Sequence, residues 1–117
     1  MSSLLEIESK LKTIIDGFSG KVGYEIKNLS TNERIIYQNQ EIFPTASTIK
    51  TFILGALLDE VKKNNVSLTE LMTMERDQQV GGTGVLKELT GGSKYAVKDV
   101  AMLMMIVSDN TATNMLI

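Results

Sequence analysis

Apolar residues recur at helical spacing near the start of the chain, at Leu4, Ile7, Leu11, Ile14 and Phe18. This spacing predicts an amphipathic helix over residues 3–16 that ends near Gly17. Ser3 and Glu6 fit a capping box, in which each side chain satisfies a free backbone N–H at the helix start. The chain therefore opens with a helix that has one apolar face.

Two short segments after this helix, residues 22–26 and 34–37, are rich in β-branched and aromatic residues. Such a composition is typical of strands. The turn-forming residues between them are Asn28, Ser30, Thr31 and Asn32. The pattern therefore predicts a β-hairpin.

Two later segments are dense in apolar residues. Residues 49–61 predict a mostly buried helix, which starts after Pro44 because proline keeps the residue before it extended. Residues 97–107 are apolar nearly all round, which is typical of a helix in the middle of a protein.

Polar residues and glycines are frequent before and after the predicted helix over residues 97–107. Residues 67–92 contain glycines at positions 81, 82, 84, 91 and 92, and they predict a loop with short helical pieces. Residues 111–117 predict the first turns of a further helix, with Asp109 or Asn110 as its N-cap.

The composition narrows the possible chemistry. The chain has 117 residues, 43% of them hydrophobic, so it is large enough to bury a core. Twelve basic and fourteen acidic residues form no block of like charge, so we expect no nucleic-acid partner. The absence of cysteine and histidine excludes disulfides, the usual zinc sites and a His-based triad. We expect no metal and no cofactor, and any catalysis must use other side chains.

Membrane and export signals are also missing from the sequence. The longest purely apolar run, residues 100–107, is eight residues long, whereas a bilayer span needs roughly 20. The first residues lack the basic segment and apolar stretch of a signal peptide. The sequence therefore predicts no membrane span and no export signal.

Ser47 and Lys50 form an S-x-x-K motif at the predicted start of the helix over residues 49–61. On a helix, this spacing brings the two side chains to one face, with their Cβ atoms about 5–6 Å apart. A serine hydroxyl becomes a good nucleophile when a neighbouring base removes its proton, and a lysine can be that base where burial or nearby cations suppress its charge. The N–H groups of a helix start also favour a developing oxyanion.

A simpler interpretation exists for each of these residues. The S-x-x-K spacing also occurs in residues 9–12, on what is predicted to be an exposed helix face. Thr45 and Ser47 could merely cap a helix while Lys50 is solvated. Likewise, residues 108–110, with the sequence S-D-N, could be only a polar cap between two helices.

The combination of motifs is more specific than any one of them, because S-D-N follows S-x-x-K after 61 residues and a second apolar helix delivers it. Residues 43–50, 81–86 and 107–116 closely resemble the N-terminal portion of class A β-lactamases and the wider penicillin-recognising serine hydrolases. The resemblance implies an α+β fold, in which an antiparallel sheet flanked by helices adjoins an all-α lobe. Residues 1–40 would then supply the first helix and hairpin of the sheet domain, and residues 41–117 the helical lobe, truncated at its C-terminus.

The resemblance also implies a role for each residue of the site. Ser47 would be the acylated nucleophile, and its backbone N–H would form half of the oxyanion hole. Lys50 would be its partner in proton transfer, as a base or as an electrostatic and relay group. Ser108 would pass a proton to the β-lactam nitrogen. Asn110 would bind the acylamide side chain of the substrate and orient Lys50, whereas Asp109 would hold the turn.

Three features of the family are absent from this sequence. It contains no K-S/T-G triad, which in the family supplies the second oxyanion N–H and a cation for the substrate carboxylate. The loop with the glutamate that activates water for deacylation, which follows S-D-N in the family, is also absent. The position of the family's aromatic gate falls near Thr83, so the substrate edge would differ. The chain would correspond to somewhat under half of a typical member.

The leading hypothesis is therefore a serine hydrolase of the β-lactamase type that opens β-lactam rings through an acyl-enzyme on Ser47. One alternative is a related D,D-peptidase or esterase that lacks efficient deacylation, and another is a non-catalytic binding or assembly fragment. The substrate would be a β-lactam or a peptidoglycan-like acyl compound. The fold would need the missing C-terminal half or another chain, and the family implies a location in the cell envelope or outside the cell.

Overall fold

The computed structural model describes residues 4–117 and contains two compact units, Met1–Pro44 and Thr45–Ile117. The first unit holds α1 (Leu4–Asp16), β1 (Tyr24–Lys27) and β2 (Arg34–Tyr37). The second holds α2 (Ile49–Lys62), β3 (Leu71–Thr73), β4 (Lys94–Ala96), α3 (Val97–Ile106) and α4 (Asn110–Met115). One-turn 3₁₀ helices lie at Ala46–Thr48, Arg76–Gln78 and Leu86–Glu88.

The first unit consists of an antiparallel hairpin with α1 packed against β2. Tyr24 pairs with Tyr37 and Ile26 with Ile35, so these four side chains share one face of the hairpin. Ile35 is buried there, and the two tyrosine rings stack with their centroids 5.7 Å apart. The predicted helix and hairpin are confirmed, although Ser3, the predicted cap of α1, lies outside the described residues.

Asn28 closes the hairpin turn. Its side-chain Oδ1 accepts hydrogen bonds from the backbone N–H groups of Ser30 and Thr31, at 2.9 and 3.3 Å. Asn32 adopts a left-handed conformation with φ of 60°, which asparagine tolerates better than most residues. The turn-forming residues therefore act through local hydrogen bonds that the sequence alone specifies.

The core of the second unit lies between α3, α4 and the segment that connects β3 to β4. Its fully or almost fully buried apolar side chains are Met74, Leu86, Val100, Met104, Ala112 and Met115. α3 follows β4 directly and packs against α4. This core fixes the position of the turn between α3 and α4, which carries the S-D-N residues.

Two expectations about the second unit are wrong. Lys50 is the one buried residue of α2, whereas Phe52 is 67% exposed, so α2 is not mostly buried in this chain. Residues 67–92 are not only loop and short helical turns, because Leu71 in β3 pairs with Ala96 in β4. Three-residue strands are too short to produce a recognisable alternation, so the sequence pattern does not reveal them.

α3 differs from its prediction in a similar way. Its buried face consists of Val97, Val100, Ala101 and Met104, whereas Ile106 on another face is 69% exposed.

Within residues 4–117, no helix combines the length and the apolar character that a membrane crossing requires.

Candidate active site

Ser47 lies in the 3₁₀ turn that runs directly into α2. The residue before it, Ala46, has a φ of 44°, a left-handed conformation that costs a residue with a Cβ atom about 1–2 kcal/mol. Neither Thr45 nor Thr48 makes a side-chain capping bond at the start of its helix. The Ser47 hydroxyl is instead engaged by Lys50 and Ser108, so the simple capping interpretation does not describe this turn.

The Lys50 side chain points into the second unit and is only 5% exposed. Its Nζ donates to the carbonyl oxygen of Ser108 at 2.7 Å, to the Ser108 Oγ at 2.8 Å and to the Asn110 Oδ1 at 2.9 Å. The Ser47 Oγ lies 3.4 Å from the same nitrogen. Lys50 is therefore not a solvated surface lysine.

Lys50 forms no salt bridge with any carboxylate within the described part of the chain. A buried ammonium without a counter-charge is costly unless hydrogen bonds replace its hydration. The neighbouring oxygen atoms of Ser47, Ser108 and Asn110 supply that replacement. By contrast, Ser9 and Lys12, which share the S-x-x-K spacing, are both exposed on α1.

Ser108 begins the turn between α3 and α4 in a left-handed conformation, with φ of 54°. Its Oγ donates to the Ser47 Oγ at 2.8 Å, although the two serines are 61 residues apart in the chain. Ser47 Oγ, Ser108 Oγ and Lys50 Nζ thus form a closed triangle of hydrogen-bonding groups. A nucleophile and a base within hydrogen-bond reach are the geometric requirement for covalent catalysis.

Asp109 is fully buried and holds the turn in place. Its Oδ2 accepts the backbone N–H groups of Val85 and Leu86, at 2.6 and 2.9 Å, and its Oδ1 accepts that of Ala112 at 3.0 Å. Burial by itself would raise the pKa of Asp109. The backbone hydrogen bonds, which also include one from Thr111, outweigh burial and keep the pKa below its usual value. The side chain is therefore an ionised N-cap of α4, so that of the two predicted caps, Asp109 and Asn110, Asp109 is the one in this position.

The glycine-rich segment packs tightly against this turn. Gly82 and Gly84 have φ values of 96° and 115°. A Cβ atom on Gly84 would overlap the Asp109 carboxylate, and one on Gly82 would lie 2.5 Å from the Asn110 Nδ2. Glycine is required at both positions by conformation and by space.

Thr83 lies between these two glycines and contacts the turn on both sides of Asp109. Its Oγ1 donates to the Ser108 carbonyl oxygen at 2.7 Å, and its own carbonyl oxygen accepts the Asn110 N–H at 3.0 Å. The sequence pattern does not mark Thr83 as a hydrogen-bonding residue of the site. The glycine run around it was the available signal, since it marks a place where the backbone approaches another segment closely.

A groove of about 550 Å³ opens beside these groups, and its wall includes Ser47, Lys50, Val80, Gly81, Asn110 and Asn114. The Asn110 Oδ1 accepts a hydrogen bond from Lys50 Nζ, and the Asn110 Nδ2 donates to the Gly81 carbonyl oxygen at 3.2 Å. The structure therefore brings together all four residues that the sequence singled out, namely Ser47, Lys50, Ser108 and Asn110. Among residues 4–117, no cluster of three or more acidic, histidine or cysteine side chains could hold a metal ion.

Curated proteins similar to this chain are β-lactamases. β-Lactamase PSE-4 of Pseudomonas aeruginosa is 24% identical over 116 residues, which cover 99% of this chain and 40% of that protein. A β-lactamase of Bacillus licheniformis is 27% identical over 112 residues, covering 96% of this chain and 36% of that protein. The chain thus spans about 40% of the length of these relatives.

Solved structures of related proteins show the same relationship. A mutant of PBP-A in its acyl-enzyme complex with penicillin G has a TM-score of 0.90 and 34% identity, covering 97% of this chain and 44% of that chain. A β-lactamase from Sphaerobacter thermophilus has a TM-score of 0.85 and 26% identity, covering 98% of this chain and 43% of that chain. These neighbours confirm the expected α+β fold of the β-lactamase type.

A family model described as the β-lactamase enzyme family matches residues 6–117. The match includes the S-x-x-K and S-D-N motifs and almost all of the chain, so it confirms the resemblance seen in the sequence. The chain belongs to the β-lactamase enzyme family.

Proposed function

We propose that this chain carries the nucleophilic part of a serine acyl-transfer site, in which Ser47 attacks the carbonyl carbon of a β-lactam ring. The observation that supports this most directly is the hydrogen-bonded triangle of Ser47 Oγ, Ser108 Oγ and Lys50 Nζ. A second support is that one solved neighbour is an acyl-enzyme complex with penicillin G.

The hydrogen bonds of Lys50 define how a proton could move. The Ser108 carbonyl oxygen and the Asn110 Oδ1 can only accept, so each of them fixes one N–H of the amine. The remaining position of the nitrogen faces the two serine hydroxyls, which can either donate or accept. Lys50 can therefore serve both as an ammonium that donates to a hydroxyl and as a neutral amine that takes a proton from one.

The distances favour a relay through Ser108. The direct separation of Ser47 Oγ and Lys50 Nζ is 3.4 Å, whereas both links through the Ser108 Oγ are 2.8 Å. In the proposed reaction, the Ser47 proton passes through the Ser108 hydroxyl to a neutral Lys50 amine as the bond between the Ser47 Oγ and the carbonyl carbon forms, and the carbonyl oxygen becomes an oxyanion. The oxyanion then re-forms the carbonyl as the ring carbon–nitrogen bond breaks, and the nitrogen receives a proton from the Lys50 ammonium by way of Ser108.

Two further groups would bind the substrate. The backbone N–H of Ser47 belongs to the first turn before α2, where N–H groups lack intrahelical partners and can stabilise an oxyanion. The Asn110 Nδ2 donates one of its two hydrogens to the Gly81 carbonyl oxygen, which leaves the other for an acylamide oxygen of the substrate.

Deacylation would require groups from outside these 117 residues. Within residues 4–117, no carboxylate forms a hydrogen bond or salt bridge with Ser47 or Lys50 that could activate a water molecule. The sequence also contains no K-S/T-G triad to supply a second oxyanion donor. We therefore propose that this part of the site forms an acyl-enzyme, and that turnover needs a further segment or chain.

The main alternative within the same chemistry is a D,D-peptidase or esterase, which would use the same Ser47 nucleophile on a peptidoglycan-like acyl compound. The non-catalytic alternative accounts poorly for a buried lysine that contacts both motif serines. A solvated or capping role would not require the side chain of Lys50 to leave water.

Covalent labelling tests the proposal. The protein is incubated with a fluorescent penicillin, digested, and analysed by mass spectrometry for the modified peptide. We expect the adduct on Ser47, its loss in Ser47→Ala, and unchanged labelling in Ser9→Ala, which alters the exposed S-x-x-K serine. Labelling on any other residue, or equal labelling in Ser47→Ala, would contradict the assignment.

A further inference from the structure

The backbone carbonyl oxygen of Ser108 accepts two hydrogen bonds at once. One comes from Lys50 Nζ and the other from Thr83 Oγ1, and both are 2.7 Å long. A carbonyl oxygen has two lone pairs, so these two donors saturate it. The orientation of this peptide group is therefore fixed jointly by the buried amine and by the threonine hydroxyl.

This peptide group needs such support because Ser108 has a φ of 54°. A non-glycine residue in the left-handed region is strained and persists only where its surroundings hold it there. Thr83 forms hydrogen bonds with the residues on both sides of Asp109. Its Oγ1 donates to the Ser108 carbonyl oxygen, and its carbonyl oxygen accepts the Asn110 N–H at 3.0 Å. The same strained backbone sets the direction of the Ser108 Oγ towards Ser47.

Thr83 is itself held firmly in this position. The positive φ values of Gly82 and Gly84 let the backbone reverse around it. Lys87 Nζ also donates to the Gly82 carbonyl oxygen, at 2.7 Å. The Thr83 hydroxyl is thus presented by an anchored segment and not by a free loop.

We propose that Thr83 is a positioning residue for acylation, whose hydroxyl holds the Ser108 backbone so that the Ser108 Oγ stays aligned with Ser47 and Lys50. The proposal rests on the proposed acyl transfer to Ser47. Thr83 acts through Ser108 and does not itself exchange a proton with the substrate. Serine at this position would preserve the hydrogen bond, whereas valine would keep the shape and remove the donor.

The expected effect is modest because Thr83 is exposed and water can replace part of its hydrogen bond. Removing one neutral hydrogen bond should lower the acylation rate constant roughly 3- to 10-fold. Since the side chain contributes nothing to the buried core, Thr83→Val should fold normally.

The test compares Thr83→Val and Thr83→Ser with the unmodified protein by stopped-flow measurement of acylation with a fluorescent penicillin. Varying the penicillin concentration separates the dissociation constant of the non-covalent complex from the acylation rate constant. Thr51→Val is the matched control, because Thr51 Oγ1 also donates to a backbone carbonyl oxygen, that of Thr48, at 2.8 Å. The backbone carbonyl ¹³C shift of Ser108, measured by NMR, reports the hydrogen bond independently of activity.

We expect Thr83→Val to lower the rate constant with little change in the dissociation constant, and to move the Ser108 carbonyl resonance. Thr83→Ser should restore both readouts, and Thr51→Val should change neither. Wild-type rates in Thr83→Val, or a change confined to the dissociation constant, would overturn the positioning role while leaving acylation of Ser47 intact. Absence of any labelling in the unmodified protein would overturn the proposed function itself, and this role with it.

Discussion

The buried amine of Lys50 lies 2.7 Å from the backbone carbonyl oxygen of Ser108, which is 58 residues further along the chain. This bond joins the start of α2 to the turn between α3 and α4. It also uses one of the lysine's hydrogens on an acceptor that cannot return a proton. The contact therefore connects two parts of the unit and holds the Lys50 amine beside the hydroxyl groups of Ser47 and Ser108.

Replacing Lys50 by a side chain of similar volume should show whether its amine is needed for acylation of Ser47. Lys50→Met keeps most of the side-chain volume but removes the amine, so we expect acylation of Ser47 to fall by about 10²- to 10⁴-fold. Lys12→Met, in the exposed S-x-x-K sequence, should acylate at the unmodified rate. Pre-steady-state kinetics with a fluorescent penicillin measure both, and normal acylation in folded Lys50→Met would rule out a proton-transfer role.

The same substitution should also cost stability, because the Lys50 amine donates hydrogen bonds to groups of another segment. Lys50→Met leaves the Ser108 carbonyl oxygen with one donor fewer and removes the amine that the Asn110 Oδ1 contacts. Because both acceptors are only partly buried, we expect the loss of these hydrogen bonds to cost about 0.5–1.5 kcal/mol. Urea unfolding should therefore show a lower free energy of unfolding for Lys50→Met, and no change for Lys12→Met.

Asp109 should make the stability depend on acid pH. Its pKa in the folded chain lies below the usual value, which is about 3.9 in an unfolded chain. Its contribution to stability is therefore complete above that usual value and is lost as the pH falls through the lower folded pKa. Asp109→Asn should destabilise the protein at neutral pH and flatten the acid part of the curve of unfolding free energy against pH.

Urea unfolding between pH 2 and 7 would check this behaviour. Asp99→Asn is a useful control because Asp99, in the first turn of α3, is exposed and lies outside the S-D-N turn. If the free energy of unfolding of Asp109→Asn fell as steeply at acid pH as that of the unmodified protein, other carboxylates would be responsible for the pH dependence.

Gly84 and Gly55 should respond oppositely to alanine. Gly84→Ala places a Cβ atom into the Asp109 carboxylate at a φ of 115°, so it should cost at least about 1 kcal/mol from backbone strain alone. Gly55 lies within α2 with no atom within 4 Å of an added Cβ, so Gly55→Ala should gain about 0.5–1 kcal/mol. Thermal unfolding measures the two shifts, and a neutral Gly84→Ala would mean that the segment can move away from the turn.

The 117-residue chain by itself should not turn over β-lactams. With a single oxyanion donor from Ser47, the transition state would lack about 2.7–4 kcal/mol of stabilisation that a second donor typically provides. Nitrocefin hydrolysis by the purified chain, with and without a separately expressed segment that carries a K-S/T-G triad, measures this directly. Rapid hydrolysis by the monomeric chain alone, dependent on Ser47, would show that the remaining groups are not needed.

Much of the fold follows from local sequence rules. The spacing of Leu4, Ile7 and Leu11 is sufficient to predict α1, and the β-branched and aromatic composition with the turn residues is sufficient to predict the hairpin. The N-cap of α4 was also predictable, because aspartate before a helix accepts the backbone N–H groups of its first turn. Such features depend on residues that are neighbours in the chain, so composition and spacing contain the necessary information.

The same rules did not reveal β3 and β4, nor the exposure of α2. A three-residue strand has no periodicity of its own and exists because its partner is delivered by the rest of the fold. α2 is rich in apolar residues, but what covers an apolar face depends on the elements placed beside it and not on the helix sequence. These features are consequences of packing between distant segments.

For the site, the sequence by itself determined which side chains could react, and its paired motifs singled out Ser47, Lys50, Ser108 and Asn110. Only the tertiary structure decided that the Lys50 side chain is buried against Ser108 and Asn110 while Ser47 stays exposed, because burial is set by the segments that pack around each side chain. It also decided that the Thr83 hydroxyl reaches the Ser108 carbonyl oxygen, because two glycines and Asp109 bring the segments together. Hydrogen bonds across 25 to 61 residues join groups whose proximity no local rule encodes.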